Sequence, residues 1–333
     1  MGCGGNFDLM AEIAVIIVNY GTPDLSIAAV ESVISRSHGG RSVEVHLLDN
    51  ASPGTDAEQF SSTHAERGWG DQVTLWPQTV NHGFGRGNNV VIDALLVRPD
   101  APRYIFLLNP DATLENEALD VLAKFMDDNP LVGASGAAIS LPSGEPVSAA
   151  FRFFSPAASF VHAVNFGPLA RMFPRAAVAL PPNTKAGGVD WVSGAAVMLR
   201  SDVLRKVGTF DPKFFLYFEE TELMYRIQAA GYHVWHLPQA RVLHAEGVAT
   251  QVQVNRPERR ARPAYWYDSW RHYHQVCMGR GGALLTGFAW MAGAAINVPL
   301  AKIRGQNPHA PLNFFSDFWS QVMVPLLKDR KNA

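Results

Sequence analysis

Cysteine is nearly absent: Cys3 and Cys277 are the only two in 333 residues. They are too few and too far apart for a disulfide framework or a zinc site, so a reducing compartment is the default expectation. Charge is sparse as well. Asp, Glu, Lys and Arg make up 17% of the chain and leave a formal net charge of −2. That balance gives no global attraction to nucleic acid, and a polyanion could be met only by a local basic patch. No internal repeat or low-complexity tract is present. Residues 1–10 lack the basic-then-apolar layout of a signal peptide, and Asn6 stands where a myristoylation signal needs Ser or Thr. The expected location is therefore cytoplasmic. What the chain does have is a 47% hydrophobic content, enough to bury a full core as one large domain with an appendage or as two modest domains.

Through the first 130 residues a strand, a polar loop and a helix repeat. The β-branched run 13–18 reads as a strand covered on both faces and ends in Asn19-Tyr20-Gly21. The run 43–48 stops at Asp49-Asn50-Ala51-Ser52. A short strand at 73–75 leads to the loop Asn81-His82-Gly83-Phe84-Gly85-Arg86-Gly87-Asn88-Asn89, and a fourth strand, 104–108, ends at Asn109-Pro110-Asp111. This rhythm predicts an α/β layer with a mostly parallel sheet. Ligands of such sheets sit beyond the carboxyl ends of the strands, where Asn19, Asp49 and Asp111 fall. From 131 to 250 the pattern is mixed, with a strand-like run at 191–199 and a helix near 220–230, and it reads as the second half of the same domain.

Several residues carry candidate chemistry. Asp111, held in a turn by Pro110, can bind a divalent cation bridging two phosphates, although Asn-Pro-Asp is equally an ordinary helix-capping turn. Asp49 can accept hydrogen bonds from a base or ribose, or simply close its turn. The glycines at 83, 85 and 87 permit close backbone approach to a phosphate. They do not follow the first strand, so they are not a dinucleotide fingerprint. Phe218-Glu219-Glu220-Thr221-Glu222 sets three carboxylates after an aromatic cluster, where apolar surroundings favour a general base at Glu220 or Glu222; an acidic first turn also suits a helix dipole. His244, a lone histidine, gains meaning only beside Asp111.

Taken in order, the segments ending at Asn19-Tyr20, Asp49-Asn50-Ala51-Ser52, Asn81 to Asn89, Asn109-Pro110-Asp111, Val192-Ser193-Gly194-Ala195 and Phe218 to Glu222 resemble family-two glycosyltransferases of GT-A fold, especially the rhamnosyltransferase-like branch. The resemblance covers roughly 12–250, the expected catalytic domain, with a nucleotide-sugar half at 12–130 and an acceptor half at 131–250. It implies that Asn19, Tyr20, Gly21 and Asp49 hold base and ribose. Asn81, Gly83, Phe84, Gly85, Arg86 and Asn89 would lie in a loop closing on the donor, beside Asn109. Asp111 with His244 would hold Mg²⁺ or Mn²⁺, and Trp191, Ser193, Gly194, Glu219 and Glu222 would lie on the acceptor side. Glu220 stands where the family more often has Asp as the base, in an inverting displacement from a dTDP- or UDP-sugar. Rhamnose from dTDP-rhamnose, passed to a saccharide or lipid-linked saccharide of a cell-surface polysaccharide, is the implied chemistry. A non-catalytic nucleotide-sugar-binding protein and a nucleotidyltransferase remain alternatives.

Residues 1–11 are expected to be a flexible N-terminus, and 251–333 a basic loop followed by amphipathic helices. Residues 281–301 carry no charge and are long enough to span a bilayer, yet four glycines, Thr286, Asn297 and Pro299 dilute their hydrophobicity. An interfacial or re-entrant helix on the inner face of the membrane is the expectation, supported by the aromatic stripe at 314–327; packing on the domain or homodimerisation is the alternative. Arg256, Arg259, Arg260 and Arg262 would meet a diphosphate or form a solvated loop.

Overall fold

The computed structural model describes residues 11–245 and 259–328, so the expectations for residues 1–10 and Arg256 lie outside the described residues. Four parallel strands open the chain: β1 (Ile13–Asn19), β2 (Val43–Asp49), β3 (Val73–Pro77) and β4 (Tyr104–Leu108). Helices α1 (Pro23–Ile34), α2 (Asp56–Arg67) and α3 (Gly83–Leu96) connect them. Asn19 lies opposite Asp49 and Ile17 opposite Leu108. The polar turns therefore emerge along one sheet edge.

The chain continues through β5 (Ala112–Leu114), α4 (Ala118–Asp128), β6 (Val132–Ser140), β7 (Pro146–Val147), β8 (Ala150–Phe151), α5 (Pro156–Val164) and α6 (Gly167–Met172). Then come β9 (Gly187–Val189), β10 (Trp191–Val192), β11 (Ala196–Arg200), α7 (Ser201–Val207), α8 (Glu219–Ala229) and β12 (His233–His244). The main sheet runs β3-β2-β1-β4-β11-β6-β12-β5, with β11 antiparallel to both neighbours. The predicted single strand at 191–199 is broken. Ser193 donates its backbone N–H to Ala149 and Ala195 accepts from Asn109, so the segment passes from the small β8–β10 pair into the main sheet.

Alternate residues of β1 serve two cores, which is why its apolar run has no polar interruption. Ile13, Val15 and Ile17 pack with Val30, Val33, Leu119 and Leu122 on one face. Ala14 and Ile16 pack with Val91, Ile92, Leu223 and Ile227 on the other.

A third core forms beyond the sheet. Here α9 (Ala264–Ile303) breaks its helix at Gly279 (φ 67°, ψ 172°). It packs with α10 (Phe314–Phe318), a π-turn at Trp319–Met323 and α11 (Val324–Lys328) around Trp266, Trp270, Phe314, Phe318 and Met323. The predicted amphipathic segment 314–327 is thus helical with a π-turn inside it.

Candidate active site

A cleft of about 750 Å³ opens at the carboxyl edge of the sheet. Tyr20, Asn50, Asn81, Gly83, Phe84, Asn109 and Pro110 line it together with Ser193, Gly194, Glu219 and Glu220, and residues 259–263, Tyr265 and 309–311 cover it.

The expected loop from Gly83 to Asn89 is instead the first two turns of α3. Its glycines are there for packing. A Cβ on Gly83 would lie 1.9 Å from the Phe215 carbonyl oxygen, and its φ of +72° is itself costly for other residues. A Cβ on Gly87 would lie 3.1 Å from Val18. Asn50, which drew no attention in the sequence, ties this helix to β2. Its side-chain oxygen accepts from the His82 backbone N–H at 2.9 Å, and its amide donates to the Gly83 carbonyl at 2.9 Å. The sequence signal was present, since Asn50 adjoins Asp49, but its adjacent carboxylate looked like the ligand.

The segment leading to Glu219 and Glu220 rests on strained backbone. Tyr217 and Phe218 both adopt left-handed φ values, 73° and 71°. Non-glycine residues in that region cost on the order of 1–3 kcal/mol each and persist only when their surroundings enforce them. The surroundings come from α9: Tyr265 stacks on Tyr217, Tyr273 stacks on Phe218 and the Ser269 hydroxyl donates to the Leu216 carbonyl at 3.0 Å. The turn delivers Glu219 and Glu220 into the first turn of α8. Glu219 is buried, and its Oε2 has no hydrogen-bond partner. Burial, and then the neighbouring Glu220, push its carboxyl well above the ordinary range. Burial also raises Glu220. Both groups therefore hold protons more tightly than free carboxylates.

Asp111 lies just behind Asn109 and Pro110 and is buried. The Nε2 of His244, at the end of β12, is 3.0 Å from Asp111 Oδ1 and 3.2 Å from Asn109 Nδ2. One ring nitrogen thus meets both a carboxylate acceptor and an amide donor, and a single tautomer cannot satisfy both. Two metal ligands bonded at about 2.1 Å and at right angles stand about 3.0 Å apart. The Asp111–His244 pair fits a divalent cation on that geometry. No cluster of three or more acidic, His or Cys ligands occurs among the described residues, so remaining coordination would have to come from substrate or water.

Other expected site residues are engaged elsewhere. Asn19 is buried and donates to Asp49, Asp56 and Ser52, so it braces the turn. Asp49 accepts from Asn19 and from the Ser52 hydroxyl, and it borders a separate cavity beside α2. Gly21 donates its N–H to Ser52. Asn89 exchanges two hydrogen bonds with the Phe210 backbone, and Arg86 donates to the His82 carbonyl. Gly85 packs on Phe210 and Glu219. Trp191, expected at the acceptor, stacks on Phe151 at 4.0 Å and donates to the Arg152 carbonyl, outside the cleft lining. Glu222 is buried in an ion pair with Arg226 and is likewise no part of the wall. Arg259 donates to the carbonyls of Ala310 and Pro311, which anchors the cover, whereas Arg260 and Arg262 are exposed.

Solved glycosyltransferases of GT-A fold share this fold. GalNAc-T7, crystallised with UDP, GalNAc and Mn²⁺, is 13% identical with a TM-score of 0.56, aligned over 95% of this chain and 58% of its own. The mannosyltransferase PcManGT of Pyrobaculum calidifontis, in complex with GDP-Man and Mn²⁺, is 14% identical with a TM-score of 0.51 over 96% and 88%. At the level of sequence, the chain belongs to glycosyltransferase family 2: the model described as glycosyltransferase like family 2 matches residues 11–262. It is 29% identical over 220 residues to the N-acetylglucosaminyl-diphospho-decaprenol L-rhamnosyltransferase of Mycobacterium tuberculosis, 63% of this chain and 69% of that one.

Proposed function

We propose that this chain transfers L-rhamnose from dTDP-rhamnose to a saccharide carried on a polyprenyl diphosphate, with inversion at the anomeric carbon, at the inner face of a membrane. The observation that carries the reading is that Glu219 and Glu220 line the same cleft as Asn109 and Pro110, next to which Asp111 pairs with His244 at 3.0 Å. The rhamnosyltransferase relative supports the donor sugar and the lipid-linked acceptor.

Glu220 takes the proton from the acceptor hydroxyl. Its raised pKa makes the carboxylate a stronger proton acceptor than a free glutamate, and base catalysis of this kind contributes about 10²–10⁴-fold. The freed oxygen attacks the anomeric carbon from the face opposite the leaving diphosphate. Gly194 brings the chain close to two parts of the lining: a Cβ there would touch the Phe84 ring at 3.3 Å and Glu220 Cβ at 3.6 Å. Asp111 and His244 are the residues that would hold Mg²⁺ or Mn²⁺. When bound, that ion offsets the negative charge of the departing nucleoside diphosphate.

The test is incubation of purified protein with a panel of nucleotide sugars, an N-acetylglucosaminyl diphospholipid and Mg²⁺ or Mn²⁺. The expected product is a rhamnosyl disaccharide of inverted anomeric configuration with release of dTDP. Nucleotide binding without transfer, or release of pyrophosphate, would overturn the assignment.

A further inference from the structure

The two parts of the chain differ in charge and in what they leave exposed. Residues 11–245 hold 24 acidic and 17 basic side chains, whereas residues 259–328 hold two acidic and eight basic. Within the basic part, one face of α9 is buried. Gly293 abuts Phe160 and Ala163 of α5, Asn297 donates to the Val164 carbonyl at 3.0 Å, and Trp290 packs on Phe314 and Phe318. The outward face should then be polar in a helix meant only for water. It is not. Leu285 (60% exposed), Phe288 (48%), Ile296 (44%) and Ile303 (82%) recur with Ala292 and Pro299 at three- and four-residue spacing, an outward apolar stripe with no charged residue between 281 and 301. Lys302 and Arg304 follow it, exposed. Phe315 and Trp319, on the packed neighbour segment, are exposed too.

We infer that the outward face of α9 is a docking surface for an anionic lipid bilayer, on which the helix lies flat. The stripe supplies apolar insertion, and the basic excess supplies attraction to acidic headgroups. α9 is long and apolar enough to cross a membrane. Its inner face, however, is committed to α5 and α10, so only the outer face is available to lipid. The surface is also linked to the cleft: the Asn297 side chain accepts the His309 N–H at 2.7 Å, and His309, Ala310 and Pro311 form part of the cleft's cover. A membrane-held acceptor would thus meet the cleft beside the exposed Arg260 and Arg262. This rests on the lipid-linked acceptor proposed above.

The experiment is flotation of the full chain with vesicles of phosphatidylcholine alone or mixed with phosphatidylglycerol, at low and high salt. The unaltered chain should float with the mixed vesicles, and less so at high salt. Phe288→Glu with Ile296→Glu should lower that binding at least about tenfold. Lys302→Glu should weaken it at low salt only. Val97→Glu, at a site 82% exposed on the acidic body, should leave it unchanged, and thermal melts confirm that each variant is folded. Absence of flotation, equal flotation of the double variant, or a lipid-free dimer that the double variant turns into monomer would overturn the inference, the last by identifying a second copy as the occupant. Transfer to a water-soluble acceptor analogue separates the two readings. The double variant should match the unaltered chain there, and vesicle binding with no transfer by either would sink the transferase reading while leaving this surface in place.

Discussion

Asp111 stands on ordinary backbone at the end of β4, and hydrogen bonds of the sheet edge hold it: its carbonyl accepts from Ala245, and Asn109 donates to Ala195. Glu220, in the cleft lining, follows two aromatic residues in left-handed conformation that Tyr265, Ser269 and Tyr273 keep in place. Asp111 is secured by the sheet to which it belongs. Glu220 depends on side chains some fifty positions away, so damage to α9 should disturb the proposed base before it disturbs the proposed diphosphate site.

The largest expected effect is at the sheet-held residue. Asp111→Ala should remove metal-dependent transfer, a loss of about 10³-fold or more, measured as donor turnover across an Mg²⁺ and Mn²⁺ titration; near-normal activity would refute its role. Next, Glu220→Gln should lower kcat by about 10²–10⁴-fold with donor affinity kept. Because Glu220 is raised above the usual carboxylate range, the acid limb of the kcat profile should lie at higher pH than for a free glutamate and should vanish in the variant. Glu222→Gln should do the reverse. It loosens the buried pair with Arg226, so urea denaturation should show a loss of about 1–3 kcal/mol while kcat holds.

Gly83→Ala strikes the junction where α3 meets the strained turn. A positive φ and a carbonyl 1.9 Å from the new Cβ predict more than about 2 kcal/mol of destabilisation in the same denaturation measurement. The smallest effect has the opposite sign. The folded-state pKa of Glu219 is raised, so the stability it contributes is fully present below its unfolded pKa and is lost as pH rises through the folded value. Glu219→Gln should therefore raise the melting temperature at pH 8 by roughly 2 °C or more, and the gain should shrink toward acid pH. A gain independent of pH would show that the carboxyl is ionised or solvated.

The sheet was readable because β1 and β4 are buried on both faces and carry continuous apolar runs that stop at polar turns, and β2, though broken by Glu44 and His46, ends in the same way at Asp49. Asp111, His244 and Glu220, the residues of the proposed site, stand out for a related reason, since each follows such a run or cluster. The α3 start was misread as a loop. Glycine has poor helix propensity, yet here three glycines are needed for close approach, and tertiary packing outweighs propensity. Trp191 and Glu222 have the right residue types near the right motif, but whether a side chain faces the cleft or a neighbouring element is decided by partners such as Phe151 and Arg226. Of the cover, Arg259, Arg260 and Arg262 stood out as a basic loop, whereas 309–311 gave no signal, because it meets that loop through the hydrogen bonds of Arg259 to the Ala310 and Pro311 carbonyls, which join segments distant in sequence. Left-handed Tyr217 and Phe218 run against residue preference, so pattern alone points away from them.

The break at Gly279 has a further consequence. Met278 and Arg280 belong to two rods rather than one, the first gripping the turn ahead of the carboxyl pair and the second carrying the outward apolar stripe. A φ of 67° at the joint makes glycine the residue that can sit there without strain. The angle between the two rods is held by that joint together with Trp290, which packs on Trp266 and Trp270 of the first rod, so a change at Gly279 that re-aimed one rod relative to the other would have to break those ring contacts.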